Sequence, residues 1–174
     1  LELSRLENTL PEEQNRGERV ELATLVQRVW SGLQPLALER GIRLELQGGQ
    51  NCSVSGDGSR LHRALLNLMD NALRFSPDGG TVRVALRHHS DWCRLTIKDE
   101  GPGLSEEDQE RLFERFYRGD PSRARSRGGG SGLGLAIVQQ IAVTHGGRVQ
   151  AANHPLGGAV IELMLPAAGP SGRS

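Results

Sequence analysis

The chain of 174 residues sets 21 Lys and Arg against 21 Asp and Glu and has only two cysteines. One core of ordinary size fits that length, and the balanced charge excludes a general pull toward nucleic acid or an anionic membrane, so anion binding must come from local arginine placement. Cys52 and Cys93 form no C-x-x-C pair and are too few for a zinc site or a disulfide framework; with no signal peptide and no apolar run of about 18 residues, a soluble domain in a reducing cytosol is expected.

In chain order, Leu1 to Glu7 reads as the last turns of a helix and Asn8 to Gly17 as a polar linker containing Pro11. Val20 to Leu22 reads as a short strand, Ala23 to Arg40 as a helix stopped by Gly41, Ile42 to Leu46 as an alternating strand and Gln47 to Asn51 as a turn.

The next segment, through Phe75, is a helix with an unusual face. Advancing about 100° per residue from Asn67 puts Asn71 at about +40°, Arg74 at about −20°, Arg63 at about −40° and Asp70 at about −60°, which makes one polar stripe. Leu61, Ala64, Leu65, Leu66, Leu68, Met69, Ala72, Leu73 and Phe75 fill the rest of the circle, so most of the helix should be buried. A solvated face is the plain alternative. Asn, however, is a mediocre helix former, and two Asn one turn apart offer neutral carbonyl oxygens to a hydrated hard cation. The stripe therefore reads as a pocket wall.

A hairpin follows. Thr81 to Arg87 alternates with Val82, Val84 and Leu86 on one face, and Trp92 to Asp99 with Cys93, Leu95 and Ile97. The same period puts Asp99 on the apolar side, where a carboxylate needs hydrogen-bond donors. An exocyclic amine such as that of adenine is one candidate donor, with Gly101 and Gly103 admitting a flat ring; a strand-end Asx-turn is the other reading.

Five arginines, Arg115, Arg118, Arg123, Arg125 and Arg127, then fall in a short Gly/Ser/Pro-bearing stretch suited to a lid over triphosphate, with Arg118 the better phosphate candidate and the last three better explained by a soluble loop. Gly128 to Leu135 leads into a helix over Ala136 to His145, and amides at a helix N-terminus behind glycines bind phosphate. A flexible linker is the alternative. Neither a G-x-x-x-x-G-K-[ST] loop nor a G-x-G-x-x-G fingerprint occurs here. Arg148 to Ala152 and Ala159 to Leu165 form a closing strand pair, and residues 167–174 read as a disordered tail. Together these elements predict an α/β two-layer sandwich, a mixed sheet with helices on one face.

The order Asn67-Leu-Met-Asp-Asn71-Ala, Asp99-Glu-Gly-Pro-Gly103, Phe113-Glu-Arg-Phe-Tyr-Arg118 and Gly130-Ser-Gly-Leu-Gly134 resembles the N, G1, F and G2 boxes of bacterial sensor histidine kinases. Those proteins share a Bergerat-type nucleotide-binding fold with gyrase, Hsp90 and MutL. The match spans residues 18–166. It implies a catalytic, ATP-binding domain, preceded in residues 1–17 by the end of a dimerisation hairpin and its linker.

Carried over by position, the resemblance implies that Asn71 ligates Mg²⁺ and that Asn67 helps hold metal and phosphates. Asp99 would take the adenine amine, while Gly101, Gly103 and Leu104 shape the base pocket. Arg118 would reach the phosphates, and Gly130, Gly132, Leu133 and Gly134 would cap the phosphate end. Arg74 and Phe75 stand where the family more often has Lys and Tyr, and a guanidinium fork is not a point charge.

In the ATPases of the superfamily a Glu one turn before the metal-binding Asn activates water; here Asn67 stands there, and an amide cannot accept that proton. The resemblance therefore implies transfer of the γ-phosphoryl to a His outside this chain, since His62, His88, His89, His145 and His154 lack the family's acceptor context. It further implies a response-regulator partner, a homodimeric full-length protein in the bacterial inner membrane, and a cytoplasmic place for this domain without nucleic-acid or direct membrane contact. Two rivals are an ATPase switch of the gyrase or chaperone type and a nucleotide-sensing docking module without catalysis.

Overall fold

The computed structural model describes residues 17–117 and 134–169. Eleven elements follow in order: β1 (Glu18–Glu21), α1 (Leu22–Glu39), β2 (Arg43–Gly48), β3 (Ser53–Gly56), α2 (Gly58–Phe75), β4 (Thr81–His89), β5 (Trp92–Lys98), α3 (Glu106–Arg111), α4 (Gly134–Thr144), β6 (Arg148–Asn153) and β7 (Ala159–Pro166). Five strands form a mixed sheet in the order β2-β4-β5-β7-β6, with β2 and β4 parallel and the other pairs antiparallel. The predicted two-layer α/β sandwich is the fold observed.

Strand periodicity decides which sheet face is dry. Val82, Val84, Leu86, Cys93, Leu95, Ile97, Ile161, Leu163 and Leu165 point to one side and are buried, packing in one cluster with Leu22, Val26 and Val29 of α1, Leu61, Leu65, Leu68 and Met69 of α2 and Val138 and Ile141 of α4. Each fully buried aliphatic side chain contributes about 2 kcal/mol of transfer free energy. The other face carries charge: Arg94 pairs with Glu162, which also accepts from Gln150, and Arg83 pairs with Glu45.

The helices α1, α2 and α4 begin and end close to the expected bounds. α1 continues through Pro35, which has no N–H for Ser31 and so leaves that ladder position open. α2 starts at an Asp cap: the Asp57 side chain accepts from the Ser59 and Arg60 amides at 3.0 and 3.2 Å. Its far end is held by Arg40, which donates to the Leu73 and Ser76 carbonyls and pairs with Asp78 at 2.9 Å. A cation there complements the helix dipole and satisfies its last carbonyls.

Two parts of the sequence reading change. The turn expected after Leu46 is shorter, because β2 runs to Gly48 and β3 pairs antiparallel with β1, a strand of only four residues whose partner lies over thirty positions away. The tail expected to be disordered from Ala167 begins instead with bonded residues: Ala167 bridges Val54, Ala168 N donates to Ser53 O at 2.7 Å, and Gly169 O accepts from Arg19 at 2.8 Å. Backbone pairing to the β1–β3 ribbon outweighs the weak local preference of small residues. Residues 1–16 and 170–174 of the expected linker and tail lie outside the described residues.

Cys52 and Cys93 are free thiols, fully buried beside each other. Burial, above all, pushes the Cys93 thiol up to about 12. Both are inert packing residues. No described helix is long and apolar enough to cross a membrane.

Candidate active site

The stripe on α2 survives in three dimensions. Asn67, Asp70, Asn71 and Arg74 are half-buried while Leu61, Ala64, Leu65, Leu68, Met69, Ala72 and Leu73 are buried beneath them; Arg63 and Leu66 are exposed, so the apolar arc is one residue narrower than expected. Asn67 Nδ2 donates to the Gly134 carbonyl at 3.1 Å, tying the middle of α2 to the first residue of α4. That bond consumes the amide's nitrogen and leaves its oxygen as the acceptor a cation could use. Arg74 is not a lone cation: it pairs with Asp70 one turn back at 3.1 Å.

Asp99, at the end of β5, is 3 % exposed. Its Oδ1 accepts from the Gly101 amide at 2.9 Å and the Ala159 amide at 3.1 Å. The first of these is the Asx-turn that the plainer reading anticipated, and burial shows that the turn does not account for the residue alone. Gly101 is required by proximity: a Cβ there would stand 2.5 Å from the Phe75 carbonyl, so the turn packs directly on the end of α2. Gly103 has φ +82°, and a Cβ would meet Asn153 Oδ1 at 2.9 Å. In both cases the glycine makes room for neighbouring chain.

Sequence reasoning missed Asn153, whose amide grips both sides of one backbone unit, Oδ1 accepting from Leu104 N at 2.6 Å and Nδ2 donating to Leu104 O at 2.7 Å. Leu104 is thereby buried at 6 % exposure. Glu100 was also missed; it accepts from Thr81 N at 2.7 Å and holds the same turn against the start of β4. Neither contact has a local signal, since the partners lie 49 and 19 positions apart.

The F-box segment is anchored from below. Ser105 caps α3 by accepting from Asp108 N at 3.0 Å, and the Asp108 carboxylate, 2 % exposed, accepts the Tyr117 hydroxyl. That hydrogen bond, then burial, pushes the Tyr117 phenol up to about 12. The Arg111 guanidinium lies 4.7 Å from the Tyr117 ring centroid. Phe113 is in the core, whereas Phe116 is 66 % exposed with φ +66°. Arg118, Arg123, Arg125, Arg127, Gly130, Gly132 and Leu133 lie outside the described residues.

The structure thus gathers two amides, a guanidinium and a buried carboxylate along α2 and the loop after β5, with the start of α4 bonded to the same helix. Among the described residues no three His, Cys, Asp or Glu gather as a metal site. A cation here would be held by amide oxygens and by oxygens of a bound phosphate, which suits Mg²⁺ with its retained waters.

The family model of histidine kinase-, DNA gyrase B- and HSP90-like ATPases matches residues 56–169, from the last residue of β3 to the last described residue. The chain belongs to this family. Within it the chain is a catalytic, ATP-binding domain of the sensor histidine kinase type. Sensor protein SphS of Synechococcus elongatus is 46% identical over 172 residues, covering 95% of this chain and 41% of that protein. The chain therefore spans about two fifths of that relative's length. The solved mycobacterial sensor histidine kinase MprB is 35% identical, with a TM-score of 0.74 over 88% of this chain and 99% of that one. The full-length ShkA structure, in complex with AMPPNP, is 27% identical with a TM-score of 0.75, covering 90% of this chain and 32% of that one.

Proposed function

We propose that this ATP-binding domain transfers the γ-phosphoryl group of Mg-ATP to a histidine on a dimerisation hairpin outside the residues described. The observation that carries the reading is the bond from Asn67 to Gly134, which joins the amide stripe to the N-terminus of α4 with an amide where a hydrolase needs a carboxylate base. Phosphoryl transfer requires mainly positioning and charge neutralisation. Mg²⁺, when bound, supplies most of the latter.

In this reading Asn71 and Asn67 hold the metal, Arg74 exchanges part of its pairing with Asp70 for a phosphate oxygen, and Asp99 receives the adenine amine. Phe75, Gly101, Gly103 and Leu104 wall the base. Arg118 supplies a guanidinium to the phosphates, and Gly130, Gly132, Leu133 and Gly134 present amides to them. The domain comprises residues 18–166, works in the cytoplasm within a homodimeric inner-membrane protein, and serves a response regulator.

The test is incubation with labelled ATP, Mg²⁺ and the native upstream hairpin, followed by acid treatment. Acid-labile label on the hairpin is expected. Steady ADP release without any hairpin would favour an ATPase switch instead, and nucleotide binding that Mg²⁺ does not tighten would favour a docking module.

A further inference from the structure

His145 follows the last residue of α4, and both of its ring nitrogens are engaged. Nδ1 lies 2.7 Å from the Ile141 carbonyl and must donate to it, so the lone pair is on Nε2, which accepts from the Asp57 amide at 3.1 Å. The seat is shaped for this ring: a Cβ on Gly56 would lie 2.3 Å from His145 Cδ2 and 2.5 Å from Nε2. Asp57 is the cap of α2, the helix that carries the amide stripe.

Two side-chain bonds therefore join α4 to α2, one at each end of α4. Asp57 to Asn67 covers about 15 Å of α2, and Gly134 to His145 about 16 Å of α4. Asp57 meets His145 and Asn67 meets Gly134, so the helices run antiparallel and the two bonds together fix how far α4 slides along α2. Gly134, at the sliding end, is where α4 would meet phosphate.

We propose that His145 is a positioning residue for nucleotide, setting the register of the phosphate-facing helix along the metal-facing helix, and that its protonation releases this register. A backbone amide can only donate, so an imidazolium Nε2–H facing Asp57 N–H has two donors opposed and no acceptor. The charged groups on the elements that seat the ring are Asp57, whose amide it meets, Arg60, which pairs with the Asp57 carboxylate, and Glu18 of β1, whose strand partner is Gly56; α4 carries no charged residue. The Asp57 carboxylate is committed, Oδ1 to the Ser59 and Arg60 amides and Oδ2 near Arg60 Nε at 3.5 Å, so turning it to the ring would uncap α2. The inference rests on the nucleotide reading above.

The test compares wild type with His145→Gln, whose amide oxygen can accept from Asp57 without titrating, in Mg-ADP titrations by calorimetry from about pH 8 to about pH 5.5. Both proteins see the same protonation of the nucleotide. Wild-type affinity should fall about five- to tenfold more than that of His145→Gln, the equivalent of one neutral hydrogen bond. Parallel pH profiles would overturn the proposal. A second readout needs no nucleotide: the Asp57 amide should lose protection against hydrogen exchange, measured relative to the intrinsic rate at each pH, on acidification of wild type and not of His145→Gln, and its resonance should shift with that loss. Binding that is absent at every pH while the Asp57 amide responds would sink the nucleotide reading and leave the latch; a silent Asp57 amide would sink the latch alone.

Discussion

In the proposed function Asn71 and Asp99 stand at the two poles of the site, and each has a substitution that keeps the bonds the fold needs. Asn71 is half-buried on a helix in which Ala is the better former, so Asn71→Ala should shift stability by less than about 0.5 kcal/mol. Phosphotransfer to the added hairpin should nevertheless fall at least about a hundredfold, since a lost metal ligand forfeits a few kcal/mol of charge stabilisation. Undiminished transfer in that variant would take Asn71 out of the site. Asp99→Asn keeps one oxygen for the Gly101 and Ala159 amides but replaces the other with an N–H₂ donor. ATP affinity should drop about tenfold or more, with GTP affinity much less changed; equal losses for the two nucleotides would argue against a base contact.

At the scale of elements, the site depends on how α2 and the F-box segment are held. Arg40, 11 % exposed, meets the last carbonyls of α2 and Asp78 together, and Arg40→Ala should cost about 2 kcal/mol in urea unfolding, with Arg40→Lys recovering part of it. A loss under about 0.5 kcal/mol would show that the helix end is held by packing alone. Tyr117 is a phenol whose neutral form the fold prefers. Its hydrogen bond to Asp108 contributes fully below the ordinary value of 10.0 and is lost as pH rises through about 12. Tyr117→Phe should therefore be about 1 kcal/mol less stable than wild type at pH 9, with the gap closing toward pH 12, as denaturant titrations at the two ends of that range would reveal.

For the molecule as a whole, local periodicity and distant pairing divide what could be read in advance. The stripe of Asn67, Asn71 and Arg74 was legible because a helix repeats every 3.6 residues, and the dry face of β4 and β5 because a strand repeats every two. The placement of Asp99 followed from the same period. What escaped was every contact between segments far apart in the chain: Asn153 with Leu104, Arg40 with Leu73 and Ser76, His145 with Asp57. Each of these bonds joins a polar side chain of ordinary type to a backbone group, and nothing within a few positions of either announces the other half of the bond. The strand Ser53–Gly56 escaped for the same reason, since its pairing with Glu18–Glu21 is what makes it a strand.

The ribbon of β1 and β3 receives both the first described strand and the last described residues, through the Val54–Ala167 bridge and the bond from Arg19 to Gly169. Entry and exit thus share one seam. A circular permutant should exploit it: opening the chain in the tight turn at Ser90, where φ is 55°, and joining Gly169 to Gly17 through a short Gly/Ser bridge should preserve all five strand pairings and the amide stripe. Its unfolding free energy should stay within about 2 kcal/mol of the parent, because swapping one short loop for another changes closure entropy only slightly. A permutant that aggregates or melts without cooperativity would reveal that the hairpin of β4 and β5 must close early for the rest to assemble. Success would supply a version of the domain with new ends beside that hairpin, to which a fluorophore or an artificial input module could be grafted without touching the native seam.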